Sequence, residues 1–246
     1  MSLFNPFEQF EINLILPLIL NNVDISFSNL TVLLISSTFF ILTLTYSLDK
    51  SYLYIPNNWQ ITMESTYLFV YSIVSEQGGR KAIKYLPHLF TIFFLILFFN
   101  ITGLTPFTFT ATSHIIITFS LALSYYIAWI IIGIKQLKTK FLYVFCPRNM
   151  PGWLLPLLIS VEFLSFLLRP ISLGIRLFAN MLAGHILLHI LSTACIYLLT
   201  KLLILTIPAF IIIGAIAVLE LGIAFLQAYI FTILLAIYLK DSLYSH

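Results

Sequence analysis

The chain has 246 residues, of which 61% are hydrophobic and 9% charged, with a formal net charge of +3, and its mean hydropathy is +1.05. A soluble domain is about half apolar and about a quarter charged, so this balance excludes a soluble globular protein and identifies an integral membrane protein. The small net charge gives no reason to expect a nucleic-acid partner, and the alternating pattern of a membrane barrel is absent.

The amino-terminal stretch MSLFNPFEQFEINLILPLILNN has no Lys or Arg and carries Glu8 and Glu11, which fits neither a secretory signal nor an Arg-rich transit peptide. Ile12 to Leu20 is too short to cross a hydrocarbon core of about 30 Å and contains Pro17, so an interfacial segment is expected. The first crossing helix is expected over 25–48, ended by Asp49 and Lys50. Residues 59–75 mix Gln60, Thr62, Glu64 and Ser65 with Tyr67, Phe69 and Tyr71, the composition of an amphipathic helix lying at the interface. A turn at Gly78 and Gly79 follows, then the basic cluster Arg80, Lys81 and Lys84. Spans at Leu89 to Leu104 and Ile115 to Ile134 form a helical hairpin over 89–134, joined by TPFTFTATSH.

Beyond the loop at Lys135 to Pro151 come two unusually long apolar stretches, 153–200 and 202–239, together 153–239. At about 1.5 Å per residue they would be roughly 70 and 57 Å of helix, far more than a perpendicular crossing needs. Each either turns back inside the membrane or crosses at a steep tilt. No turn signal lies between Ile171 and Thr200, so steep tilt is expected, with Pro170 and Pro208 as candidate kinks. The expected fold is an all-α integral membrane protein forming a single membrane domain over 1–246. It has about five membrane-crossing helices plus one interfacial amphipathic helix, the last two crossing helices long and steeply tilted.

Basic residues orient it. The amino-terminal segment and the 105–114 link have none, whereas 49–88 holds Lys50, Arg80, Lys81 and Lys84, and 135–152 holds Lys135, Lys138, Lys140 and Arg148. The amino terminus and the 105–114 link are therefore expected outside, and both basic loops and the carboxyl terminus inside. Lys201, at the outer turn, is a single exception. No repeated halves are evident, which argues against a secondary transporter. Cys146 and Cys195 give neither a disulfide framework nor a metal-ligand spacing.

The ionic side chains within the long stretches carry the chemistry. Glu162, Arg169 and Arg176 lie in the first and Glu220 in the second. A charge at the bilayer centre costs several kcal/mol, on the order of 3 by insertion scales, so such residues face protein or water and mark ion paths. A buried Arg–Glu pair that merely staples two helices is the alternative. The first three are spaced seven residues apart, which puts them on one helical stripe with about 20° of drift per step. Asn180, four residues after Arg176, joins that stripe. His185 is nine residues past Arg176, half a turn out of phase, so His185 and His189 share the opposite face. Glu220 and Gln227, also seven apart, form a polar stripe on the second stretch that can meet the first. A carboxylate and a histidine, both partly desolvated, can exchange protons near neutral pH. An arginine cannot relay a proton, because its guanidinium stays charged, and is suited to be a fixed barrier between two proton paths. His185 and His189 could otherwise be a metal pair or satisfied core histidines. Without a third ligand in that stretch no metal is expected.

The run RPISLGIRLFANMLAGH, positions 169 to 185, resembles the signature of the subunit a family of rotary F-type ATP synthases. The resemblance extends through FNPFEQFEI, EQGG at 76 to 79, TPFTFTATSH, LPLLISVEFLSF at 155 to 166, and LELGIAFLQAYIFTIL at 219 to 234 followed by YLKDSLYSH. It implies that Arg176 is the essential arginine facing the carboxylate on each passing c-ring subunit, with Arg169 and Asn180 as polar neighbours. His185 and Glu220 match the pair of the half-channel open to the external side, and Glu162 matches the acid of the inner half-channel. Gln227 matches a glutamine near the essential arginine and Asp241 an acid near the carboxyl terminus. The resemblance further implies a proton-conducting, non-catalytic stator subunit without a cofactor. Its partners would be the c-ring, a peripheral stalk with a subunit b-like component, other membrane-sector (Fo) subunits, protons and the lipid bilayer. A His in the AGH position with a Glu in the second long helix resembles the mitochondrial branch, placing the protein in the mitochondrial inner membrane, with a bacterial plasma membrane as the alternative. The absence of a transit peptide fits a product of the organelle's own genome. The loop FCPRNMPGW departs from the family's more usual sequence before the fifth crossing helix. From another class, the alternative is a proton- or ion-coupled transporter or respiratory pump subunit. Such a protein would show repeated halves or haem-ligand histidines on two helices, and this sequence has neither.

Overall fold

A computed structural model describes residues 10–17, 19–20, 23–24, 26–49, 57–105, 109–138, 141, 155–201 and 203–243. Glu8, Lys50, Lys140, Cys146, Arg148, the FCPRNMPGW loop and the side chain of Lys201 lie outside what is described. The helices are α1 (Asn29–Asp49), α2 (Asn58–Ile73), α3 (Leu86–Leu104), α4 (Ile115–Leu137), α5 (Leu155–Lys201) and α6 (Leu203–Leu243). Five helical segments are long and apolar enough to cross a membrane, those of α1, α3, α4, α5 and α6. The chain is an all-α membrane protein. Neither long helix turns back on itself, α5 running unbroken through 47 residues and α6 through 41.

The amino-terminal segment departs from the plain interfacial stretch expected. It forms two short antiparallel ladders, β1 (Leu14–Leu16) on β4 (Phe27–Ser28) and, between them in sequence, β2 (Ile19–Leu20) on β3 (Val23–Asp24). Pairing gives the backbone polar groups of a segment too short for a crossing helix some of the partners they need near lipid.

The core centres on α3. Leu89, Ile92, Ile96 and Phe99 are almost wholly buried, and α3 packs against α6, α1 and α2. Entry into α3 is shaped by a π-helical turn (Val74–Gly78), a turn at Gly79 with φ of 77°, and a 3-10 segment (Arg80–Tyr85). At Gly78 an added Cβ would come 2.5 Å from Ala82 Cβ, so only glycine fits between the two turns. Helix α4 meets α5 at comparable range, where a Cβ on Gly174 would stand 3.0 Å from Phe119 Cα.

Polar atoms on the crossing helices follow the same rule of internal satisfaction. On α1 the hydroxyls of Ser36, Ser37, Thr38, Thr43 and Thr45 donate to carbonyls three residues earlier. This lets a helix with exposed Ile35, Phe39 and Leu42 carry hydroxyls without leaving them unpaired. On α5, Pro170 has no N–H to give the carbonyl of Phe166, four residues earlier. Tyr126 of α4 donates its hydroxyl to that carbonyl at 2.7 Å. A tyrosine from a neighbouring helix thus replaces the bond that the proline removes.

Candidate functional site

The candidate residues gather along the contact of α5 with α6, in three groups spaced along the axis. Arg176 lies seven residues beyond Arg169 and nine before His185, about 10 and 13 Å along a helix.

The first group is closed on itself. Arg169 donates from Nη1 to Asp241 Oδ2 at 2.8 Å and from Nη2 to Glu162 Oε1 at 3.3 Å, and its guanidinium carbon lies 5.4 Å from the Tyr238 ring centre. All three ionic side chains are partly covered, with exposures of 22% for Arg169, 36% for Glu162 and 29% for Asp241. A fork-shaped cation between two carboxylates is the geometry that arginine provides and lysine does not. The adjoining cavity is only about 20 Å³ and is bordered by Tyr126, Trp129, Arg169, Tyr238 and Asp241 among others. It has room for about one water, and the buried Trp129 Nε1 has no protein partner.

The middle group is Arg176, Asn180 and Gln227. Asn180 Nδ2 donates to Gln227 Oε1 at 3.0 Å, joining α5 to α6 by neutral amides. Gln227 is buried and its Nε2 has no partner. Arg176 is exposed and has no hydrogen bond or ion pair among the described residues. Beside it on the same helix Ile175 and, five residues before Arg176, Ile171 are exposed.

The third group is open. His185 and Glu220 line one cavity of about 260 Å³, with Asn180, Gly184 and otherwise apolar side chains from α5, α6 and Leu104. Glu220 is 6% exposed and neither carboxylate oxygen has a partner; His185 Nε2 is buried and equally unpartnered. Gly184 lets the carboxylate approach α5, since a Cβ there would stand 2.9 Å from Glu220 Oε1. The Phe10 ring presents itself edge-on to the imidazole, with centroids 6.4 Å apart. His189, one turn further along, lines neither cavity. Asn180 faces the His185 cavity as well as Gln227, so the two polar faces expected on α5 converge at this level. Among the described residues no cluster of three or more His, Cys, Asp or Glu could hold a metal ion.

Several contributors were not singled out in the sequence. Asn100 of α3 is fully buried and donates to the Ala224 carbonyl of α6 at 3.2 Å, four residues after Glu220. Gly103, Gly184 and Tyr238 shape the surroundings of the charged groups. The available signal was modest: an asparagine and a glycine inside an otherwise apolar span, where each needs a packing reason.

The family described as ATP synthase A chain matches residues 26–240. The ATP synthase subunit a of Dictyostelium citrinum is 43% identical over 241 residues, covering 98% of both chains. That of Acanthamoeba castellanii is 42% identical over 240 residues, covering 97% of each. That of Chondrus crispus is 42% identical over 245 residues, covering 98% of this chain and 97% of its own.

Proposed function

Because the chain belongs to the ATP synthase A chain family, and so to the proton-translocating membrane sector of ATP synthase, we propose that it is the stator against which the c-ring turns. Two offset aqueous half-channels reach the ring interface from opposite sides. The inner one runs by Glu162, Arg169 and Asp241, the outer by His185, His189 and Glu220. Arg176, Asn180 and Gln227 lie between them. A proton passes along the outer path, neutralises a ring carboxylate and lets that ring subunit move into lipid; after nearly a full turn the carboxylate releases its proton to the inner path. The chain itself makes and breaks no bond of ATP. Its further partners are a subunit b-like peripheral stalk and other membrane-sector subunits, and its place is the mitochondrial inner membrane, where it forms one membrane domain.

The observation that carries this reading is Arg176. A permanent cation stands on an exposed, apolar stretch of a crossing helix with no counter-charge among the described residues. Such a charge is costly in hydrocarbon, by about 3 kcal/mol or more, and calls for an anion brought by a second apolar surface. A passing ring carboxylate meets that requirement, and Coulomb attraction there is less screened than in water. The guanidinium also repels a proton that would cross directly. Replacing Arg176→Ala is expected to abolish ATP synthesis while the subunit still assembles, measured by synthesis in energised vesicles and by native gels. Normal ATP-driven proton pumping by that variant would overturn the reading.

A further inference from the structure

Helix α4 grips α5 on both sides of Arg169. At one point the two backbones approach closely, since a Cβ on Gly174 would stand 3.0 Å from Phe119 Cα and 3.3 Å from the Thr118 carbonyl oxygen. At the other, seven residues further along α4, Tyr126 donates its hydroxyl to the Phe166 carbonyl at 2.7 Å. Arg169 and the buried Pro170 lie between these points, and Arg176 follows Gly174 by two residues. The second grip falls where α5 cannot hold itself. Proline has no N–H for the carbonyl four residues earlier, its ring crowds that carbonyl, and helices bend readily there. A backbone carbonyl without a partner is costly in hydrocarbon, so the course of α5 through Pro170 depends on the group that serves this oxygen.

Tyr126 connects that oxygen to the ionic group. It is 7% exposed, its ring lies 5.0 Å from that of Phe166 on α5, and it stands edge-on to the ring of Tyr238 on α6 at 5.9 Å. Tyr238 in turn carries the Arg169 guanidinium over its own ring. One side chain of α4 thus joins a backbone oxygen of α5 to the aromatic face on which Arg169 rests. The Arg169 fork reaches Glu162 on its own helix and Asp241 on α6, so a shift of α5 at Pro170 moves it chiefly relative to Asp241. The phenol hydrogen is committed to the carbonyl, and among the described residues no hydrogen bond joins Tyr126 to Glu162, Arg169 or Asp241.

We propose that Tyr126 is a positioning residue for proton transfer at the inner group: its hydroxyl stands in for the missing Pro170 N–H, fixes the course of α5, and so keeps the Arg169 fork across Glu162 and Asp241. The inference rests on the stator reading and adds to it a residue that itself carries neither charge nor proton. Tyrosine is needed rather than phenylalanine because the oxygen, not the ring, serves the carbonyl.

The test uses the assembled complex in vesicles with the catalytic head removed. Passive proton flux per assembled complex is read in four proteins: unsubstituted, Tyr126→Phe, Pro170→Ala and the double variant. Tyr126→Phe alone is expected to lower flux about fivefold with normal assembly, the effect of losing about one hydrogen bond. Unchanged flux, or a lower thermal midpoint with flux intact, overturns the proposal. Pro170→Ala restores an N–H that serves the Phe166 carbonyl from within α5. In that background Tyr126→Phe is expected to change flux by less than about twofold, the two substitutions being coupled through one carbonyl. An equal fall in both backgrounds overturns the proposal, because a restored backbone bond cannot replace a hydroxyl that relays protons or acts elsewhere. Should Tyr126→Phe fail to assemble, assembly recovered in the double variant supports the proposal and continued failure overturns it. Where Pro170→Ala conducts too weakly for comparison, thermal midpoints of the same four proteins are read, and an equal fall in both backgrounds overturns the proposal. An unsubstituted complex that passes no protons would count against the stator reading instead.

Discussion

Around Arg169 the charges of the α5–α6 pair answer one another, with two carboxylates on one guanidinium and about 20 Å³ of space beside them. Around Glu220 nothing is answered: two carboxylate oxygens and an imidazole nitrogen have no protein partner beside about 260 Å³ of space. The same pair of helices therefore holds its polar side chains in two ways, by mutual pairing at one end and without a protein partner at the other. Paired charges fix geometry, because removing one strands the rest. Unpartnered groups instead depend on solvent and can exchange protons with it. Sequence proximity does not distinguish these cases, since both ends offer acids and bases at helical spacing.

The sharpest way to break the contrast is Arg169→Ala. It strands Glu162 and Asp241 together, and after discounting for their partial exposure the expected cost is about 2–3 kcal/mol, read as a lower thermal midpoint of the assembled complex. A midpoint unchanged within error would mean the closed end is not held by its ion pairs. Glu220→Gln comes next. It keeps the shape and strands nothing, so assembly should be normal while proton flux falls about tenfold, equivalent to about 1.4 kcal/mol. Unchanged flux would remove Glu220 from the path. Gly184→Ala is subtler. The new methyl meets only the far end of the flexible Glu220 side chain, and the helix gains about 1 kcal/mol of propensity. The complex should be as stable as before while flux drops by about threefold; a stable complex with full flux would show that the carboxylate position is not critical.

The smallest effect concerns His114, which lies outside the crossing segments. Burial holds its pKa below the ordinary histidine value, and a hydrogen bond with the Phe10 backbone offsets part of that. The unfolded chain then binds the proton more readily than the folded one, so stability is complete above the ordinary value and declines as pH falls through it. Protection factors of residues 109–114, which correct for the slower intrinsic exchange in acid, should fall on acidification more than those of α3. An equal fall in both would place the sensitivity elsewhere.

Much of this architecture could be read from the sequence because the solvent was legible. Long apolar runs near lipid become helices, and the uninterrupted run through Ile171 to Thr200 argued against an internal turn without any view of packing. The intramembrane charges announced themselves by rarity. The pairing of Arg169 with Asp241 is less accessible to such reasoning, since the two are separated by 72 positions and belong to different helices. Gly103 and Gly184 were hidden for another reason: a glycine signals only that space is needed, and what uses the space, here His185 and Glu220, appears after folding. The ladders near Pro17 escaped because strands of two or three residues carry no periodicity to detect.

The Asn180–Gln227 amide pair has an electrical consequence. Amides neither take up nor release a proton at physiological pH, so they offer polarity without a resting place for charge. If water enters from both ends as proposed, the membrane potential no longer falls evenly over about 30 Å of hydrocarbon. It is concentrated across the stretch from Arg169 to Asn180, about 16 Å along the helix. One elementary charge crossing there would experience the full drop, about 2.3 kcal/mol per 100 mV, in a local field about twice that of the surrounding bilayer.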